Sequence, residues 1–87
     1  MEQSLEQLVE FVETAFRHGY TETDIRHAIG THIKDVLLAG YEDTYGLVGF
    51  DCIGNPIEIM YNRIDDKTIE VFHAMKCRPS FLKRVGL

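Results

Sequence analysis

Long apolar runs are missing from this 87-residue chain. None approaches the ~20 residues that a membrane-spanning helix requires. The opening stretch, Met1 to Glu10, is acidic, which argues against a secretory signal. Cysteine is scarce. Cys52 and Cys77 lie far apart without CxxC spacing, too few for a secreted disulfide framework. Reduced thiols and a cytoplasmic location are the expectation. There is no phosphate-cradling glycine loop, zinc-finger spacing or serine-hydrolase elbow. Repeats, linkers and low-complexity segments are also lacking. Negative charge is absent from one end. Residues 71–87 hold Lys76, Arg78, Lys83 and Arg84 and no acid, whereas residues 1–70 hold all fourteen acids and five bases.

What is present suits one domain over residues 1–87. Hydrophobic residues make up 45% of the chain, which argues against disorder. A chain this short buries only roughly 60–65% of its unfolded surface, so a thin core is expected. The net charge of −5 is unusual for a protein that handles nucleic acid. A local positive patch on an acidic body can still hold phosphates, although a basic run is as readily a solvated tail.

The spacing predicts a helix over Ser4–Arg17. Leu5, Leu8, Val9, Val12, Ala15 and Phe16 form one stripe, Ser4 and Gln7 fit a capping box, and Gly19 fits the C′ position. His18 reads as a helix C-terminal residue. A second helix is predicted from Thr21, capped with the help of Asp24, with Ile25, Ala28, Ile29 and His32 on one face. Gly30 weakens it. Ile33–Leu38 fits either its continuation or a first strand.

From Tyr45 the period changes to two. Leu47–Asp51 is a strand candidate, Gly54-Asn55 a hairpin turn, and Pro56 the start of the next strand. Ile57, Ile59 and Tyr61 alternate with Glu58, Met60 and Asn62. After a turn at Asp65-Asp66-Lys67, Ile69, Val71, His73 and Met75 alternate with Glu70, Phe72 and Ala74. The expected fold is α+β, with two N-terminal helices packed on a three- to four-stranded antiparallel sheet.

The segment Phe72–Arg84 carries the most chemistry. A strand delivers His73, and cations follow at short spacing. Cleavage of RNA by its own 2′-hydroxyl needs a base, an acid and cations that steady the phosphate. Histidine serves the proton steps and Lys or Arg the phosphate. The plain alternative for His73 is a strand residue with a satisfied hydrogen bond. His27 and His32 stand five apart, which puts them on different helix faces and makes a poor metal pair. Glu6, Glu10 and Glu13 read as a solvated face. Cys77 lies between two cations that favour a thiolate, yet no orienting base is visible.

Three stretches carry a family resemblance. They are Ile25-Arg26-His27-Ala28-Ile29, the hairpin Gly49–Ile59, and Phe72-His73-Ala74-Met75-Lys76-Cys77-Arg78-Pro79-Ser80-Phe81-Leu82. Over about residues 20–84 the chain resembles a divergent branch of the BrnT-like toxins of the RelE superfamily. The resemblance implies helices followed by an antiparallel sheet, and cleavage of mRNA, free or on the ribosome. It also implies neutralisation by a cognate antitoxin protein. His73, Arg78 and His27 match the motif positions. Lys76 stands where the motif varies and is assigned to the site by its charge. Lys83 and Arg84 are expected to bind RNA. No cofactor, metal or membrane is called for, and self-association is an open option. The competing expectation is a non-catalytic interaction domain that pairs through a sheet edge and the apolar residues Phe81, Leu82, Val85 and Leu87.

Overall fold

The computed structural model describes residues 7–87. Its centre is a five-stranded sheet: β1 (Leu8–Phe11), β2 (Lys34–Leu37), β3 (Thr44–Phe50), β4 (Pro56–Arg63) and β5 (Thr68–Lys76). The spatial order is β1-β5-β4-β3-β2. β2 to β5 form an antiparallel meander, and β1 joins β5 in parallel. Two helices flank the sheet, α1 (Glu22–Gly30) and α2 (Pro79–Arg84). Among the described residues, no helix is long and apolar enough to cross a membrane.

The expected pair of N-terminal helices on an antiparallel sheet is therefore wrong, and the sheet is mixed. Residues 8–11 are a strand and Glu13–Phe16 a single 3-10 turn. The proposed cap at Ser4 lies outside the described residues. The segment Leu8-Val9-Glu10-Phe11 satisfies both periods. Val9 and Phe11 pack on the core while Leu8 and Glu10 point outward. β-branched and aromatic residues favour the strand, and β5 offers a free edge on which to form it.

Other expectations hold. Thr21 caps α1, its hydroxyl accepting from the Asp24 N–H. Ile33–Leu38 resolves as strand, with β2 over Lys34–Leu37. Pro56 opens β4 opposite Phe50, and the turns fall at 51–55 and 64–67. The C-terminal basic run is not a loose tail, because Pro79 starts a helix at the position that needs no N–H.

The two faces of the sheet are covered differently. Ile57, Ile59, Tyr61, Ile69, Val71 and Ala74 meet Ile25 and Ala28 of α1 and Ala15 of the 3-10 turn. On the opposite face Phe81 of α2 and Val85, which caps its end, pack on Leu38 and Val48. Two glycines of β3 admit the helices. A Cβ on Gly49 would run into the Ala28 carbonyl, so α1 lies directly on the strand backbone. A Cβ on Gly46 would stand 2.9 Å from Leu38, 3.0 Å from Val85 and 3.1 Å from Phe81.

β5 departs from strict alternation. Met60 pairs with His73 and Tyr61 with Val71, so Phe72 is an extra residue opposite that step. This bulge keeps Val71 and Ala74 both on the α1 face and turns His73 to the α2 face. Without it, His73 would follow Ile69 and Val71 into the core, as simple alternation predicts.

Candidate functional site

A carboxylate inside the sheet organises the site. Glu58 sits on β4, paired across the sheet with Val48 and Met75, on the face covered by α2. Its side chain has no solvent exposure. Burying a charge is costly unless it is paired and hydrogen-bonded, and here both carboxylate oxygens are filled. Oε1 accepts from the Arg78 backbone N–H at 3.0 Å and from Arg78 Nε at 3.2 Å. Oε2 accepts from Arg78 Nη2 at 2.6 Å and from His73 Nε2 at 2.9 Å. The guanidinium thus grips the carboxylate with two donors, the geometry that suits arginine over lysine.

Burial pushes the Glu58 carboxyl up, but the hydrogen bonds from Arg78 and His73 outweigh it and hold the carboxyl below its ordinary range. The same contact pushes the Arg78 guanidinium further up. Both groups stay charged across the physiological range.

Three local features build this cluster. The β5 bulge aims His73 at Glu58. Arg78 is the N-cap residue of α2, so its N–H is one of the donors that a helix start leaves without an intrahelical partner. Glu58 satisfies that donor from the sheet, fastening the helix start to the strand. Because a carboxylate only accepts, His73 Nε2 carries a proton, and in the neutral ring that leaves the lone pair on Nδ1. The His73 side chain is 21% exposed and that of Arg78 52%, so both can meet a ligand. The ring of His18 stands edge-on to that of His73, with centroids 5.9 Å apart.

Of the residues singled out in the sequence, the fold brings His73 and Arg78 together. Lys76 pairs with Ile57 and so takes the α1 face, away from His73. His27 also lies on the α1 side, its Nδ1 donating to the Phe50 carbonyl at 2.8 Å. Lys83 and Arg84 end α2. Arg84 stacks over the Tyr41 ring, 6.0 Å from its centroid, about 9 Å of helix beyond Arg78. Sequence reasoning missed Glu58 and His18. The first carried a faint signal, an acid within an apolar strand whose opposite face is already committed to the core. His18 carried none.

A second feature lies at the end of β5. Tyr20, Asn55, Pro56, Lys76 and Cys77 line a pocket of about 310 Å³. Burial pushes the Tyr20 phenol up, helped by Asp51 and Asp24, so it is a neutral donor. Burial likewise pushes the Cys77 thiol up, as does Glu58, against the opposing pull of Arg78. The thiolate favoured by the flanking cations is therefore not formed. Among the described residues no three His, Cys, Asp or Glu side chains gather as a metal-holding group.

No protein-family model, no curated protein and no solved structure matches this chain.

Proposed function

We propose that this chain is a metal-independent endoribonuclease, the toxin of a toxin–antitoxin pair. It cuts mRNA inside the cell and is silenced by a small antitoxin protein that covers its site. The observation that supports the reading is the cluster around Glu58. A buried carboxylate fixes an imidazole tautomer and, beside it, a guanidinium, and both remain open to a ligand.

In this reading His73 Nδ1 takes the proton of the 2′-hydroxyl. The 2′ oxygen then forms its bond to phosphorus while the bond to the 5′ oxygen breaks. His18 protonates the departing 5′ oxygen, giving a 2′,3′-cyclic phosphate and a free 5′-hydroxyl. Arg78 steadies the charge that builds on the phosphate, and Glu58 holds the base in its working tautomer as a carboxylate does for histidine in hydrolytic triads. His18 stands in this reading where the resemblance had placed His27 in the site. The test is cleavage of end-labelled RNA by the wild type, His73→Ala and Arg78→Ala. Cyclic-phosphate ends and a loss of ~10²–10⁴ in rate for His73→Ala are expected. A wild type that neither cuts RNA nor arrests growth when induced rules the reading out.

One observation favours a second reading, a non-catalytic interaction domain. Among the described residues the outer edge of β2 is unpaired, and Ile33 and Leu37 beside it are 58% and 48% exposed. Such an edge invites a partner strand or a second copy. Sizing with and without the product of the neighbouring gene, read together with RNA cleavage, separates the two readings. Complex formation by a protein inert on RNA supports the second.

A further inference from the structure

We propose, resting on the ribonuclease reading, that the pocket of Tyr20, Asn55, Lys76 and Cys77 seats the nucleobase beside the phosphate that is cut, and so sets which sequences are cut. Position is the first argument. Lys76 and Cys77 immediately precede Arg78, and Tyr20 stands two residues after His18. Two residues of chain span at most about 7 Å. The pocket therefore adjoins the Glu58 cluster from both of its sides. β1 pairs with β5 only as far as Val71, so beyond that point no strand covers this edge of β5 among the described residues. The 3-10 turn lies there instead, with Thr14 Oγ1 donating to the Phe72 carbonyl at 2.7 Å. The chain from His18 to Tyr20 passes round that edge. It leaves the His18 ring beside His73 on one face and Tyr20 beside Lys76 on the other. One RNA strand laid over the edge would pass from one place to the other.

Chemistry is the second argument. The volume of about 310 Å³ admits a single base. Tyr20 offers an aromatic face for stacking, which accepts any base. Asn55 is exposed, and among the described residues its side-chain amide has no hydrogen-bond partner, so it can offer a donor and an acceptor to a base edge. Half-buried Tyr20 lies in the field of Asp51 and Asp24, which repels a phosphate and tolerates a neutral base. Exposed Lys76 supplies the one cation of the lining, suited to the phosphate that follows. Lys76 thereby gains a role that its distance from His73 denies it in the cleavage step.

The test uses the full chain and an RNA series that differs only in the bases flanking one cut site. The wild type is expected to prefer one flanking base, and Asn55→Ala to reduce that preference roughly tenfold. Tyr20→Phe, which keeps the packing, should hold the preference, and Lys76→Ala should raise KM more than it lowers kcat. Equal cutting beside all four bases, or an Asn55→Ala protein with the full preference, overturns the proposal. If the wild type cuts no RNA, the ribonuclease reading fails on its own and binding decides the pocket. Millimolar nucleoside 3′-monophosphates, with ribose phosphate as the base-free control, are titrated against labelled protein by NMR. Base-dependent shifts centred on Tyr20, Asn55, Lys76 and Cys77 uphold the pocket as a base site. Their absence overturns it.

Discussion

Replacing Glu58 by glutamine keeps the shape of the side chain, removes its charge and turns one acceptor into a donor. Four hydrogen bonds converge on the carboxylate, from His73 and from three nitrogens of Arg78. Glutamine offers a single oxygen, and its amide N–H groups then face other donors. Breaking a buried ion pair from one side commonly costs about 3–5 kcal/mol. The value here should be lower, because the partners reach water and can rehydrate. We expect ~2–3 kcal/mol. A domain of this size has about 4–13 kcal/mol in all, so the melting temperature should fall by about 10–20 °C. Urea unfolding at pH 7, followed by far-UV circular dichroism, reads the free energy directly.

The sign of the pH effect gives a second readout. Folding holds the Glu58 carboxyl below its ordinary value of 4.5. Its contribution is therefore complete above about pH 4.5 and is lost as pH falls from there through the lower folded value. Wild type should lose stability over that window more steeply than Glu58→Gln, and the two should converge in acid. A Glu58→Gln protein within 0.5 kcal/mol of wild type at pH 7, with parallel pH profiles, would refute the view that this carboxylate is a charged organiser.

Gly49→Ala should destabilise by about 3 kcal/mol in the same assay, since the new methyl meets the Ala28 backbone, which cannot swing aside. Gly30→Ala should do the opposite, adding roughly 0.5 kcal/mol, because open space surrounds that position at the end of α1. Tyr61→Phe removes the 2.7 Å hydrogen bond from the phenol to Asp35 and should cost about 1 kcal/mol. Burial, and then Asp35, push the Tyr61 phenol well above its ordinary value of 10.0. Its contribution is thus present below pH 10 and lost as pH rises beyond it. Absorbance titration should show one tyrosine ionising only as the protein unfolds, and Tyr61→Phe should abolish that late step.

The legible parts of the fold were those in which local chemistry has one solution. Thr21 with Asp24 can only open a helix usefully, Gly54 supplies the positive φ of +91° that a tight turn needs, and Pro56 cannot sit inside a ladder. Leu8–Phe11 was illegible because its apolar residues fit both periods. The choice is made by β5, some sixty positions away. The helix over Pro79–Arg84 was not legible because six residues have no helical stability of their own. It forms on Leu38 and Val48, through Phe81 and Val85. His73 and Arg78 could be named from residue type and spacing. Their convergence could not, since it depends on a one-residue bulge and on a glutamate whose burial no local pattern announces.

Arg78 belongs at once to the start of a helix and to the wall of the site. Its backbone and its side chain end on one carboxylate, so the six residues that follow cannot lift away without also releasing the imidazole's neighbour. Detachment of that last segment would bare Val48 and Leu38, strip Glu58 of three donors and scatter the site in a single event. A binding partner that pries up this short helix would thus dismantle the cluster without ever touching His73.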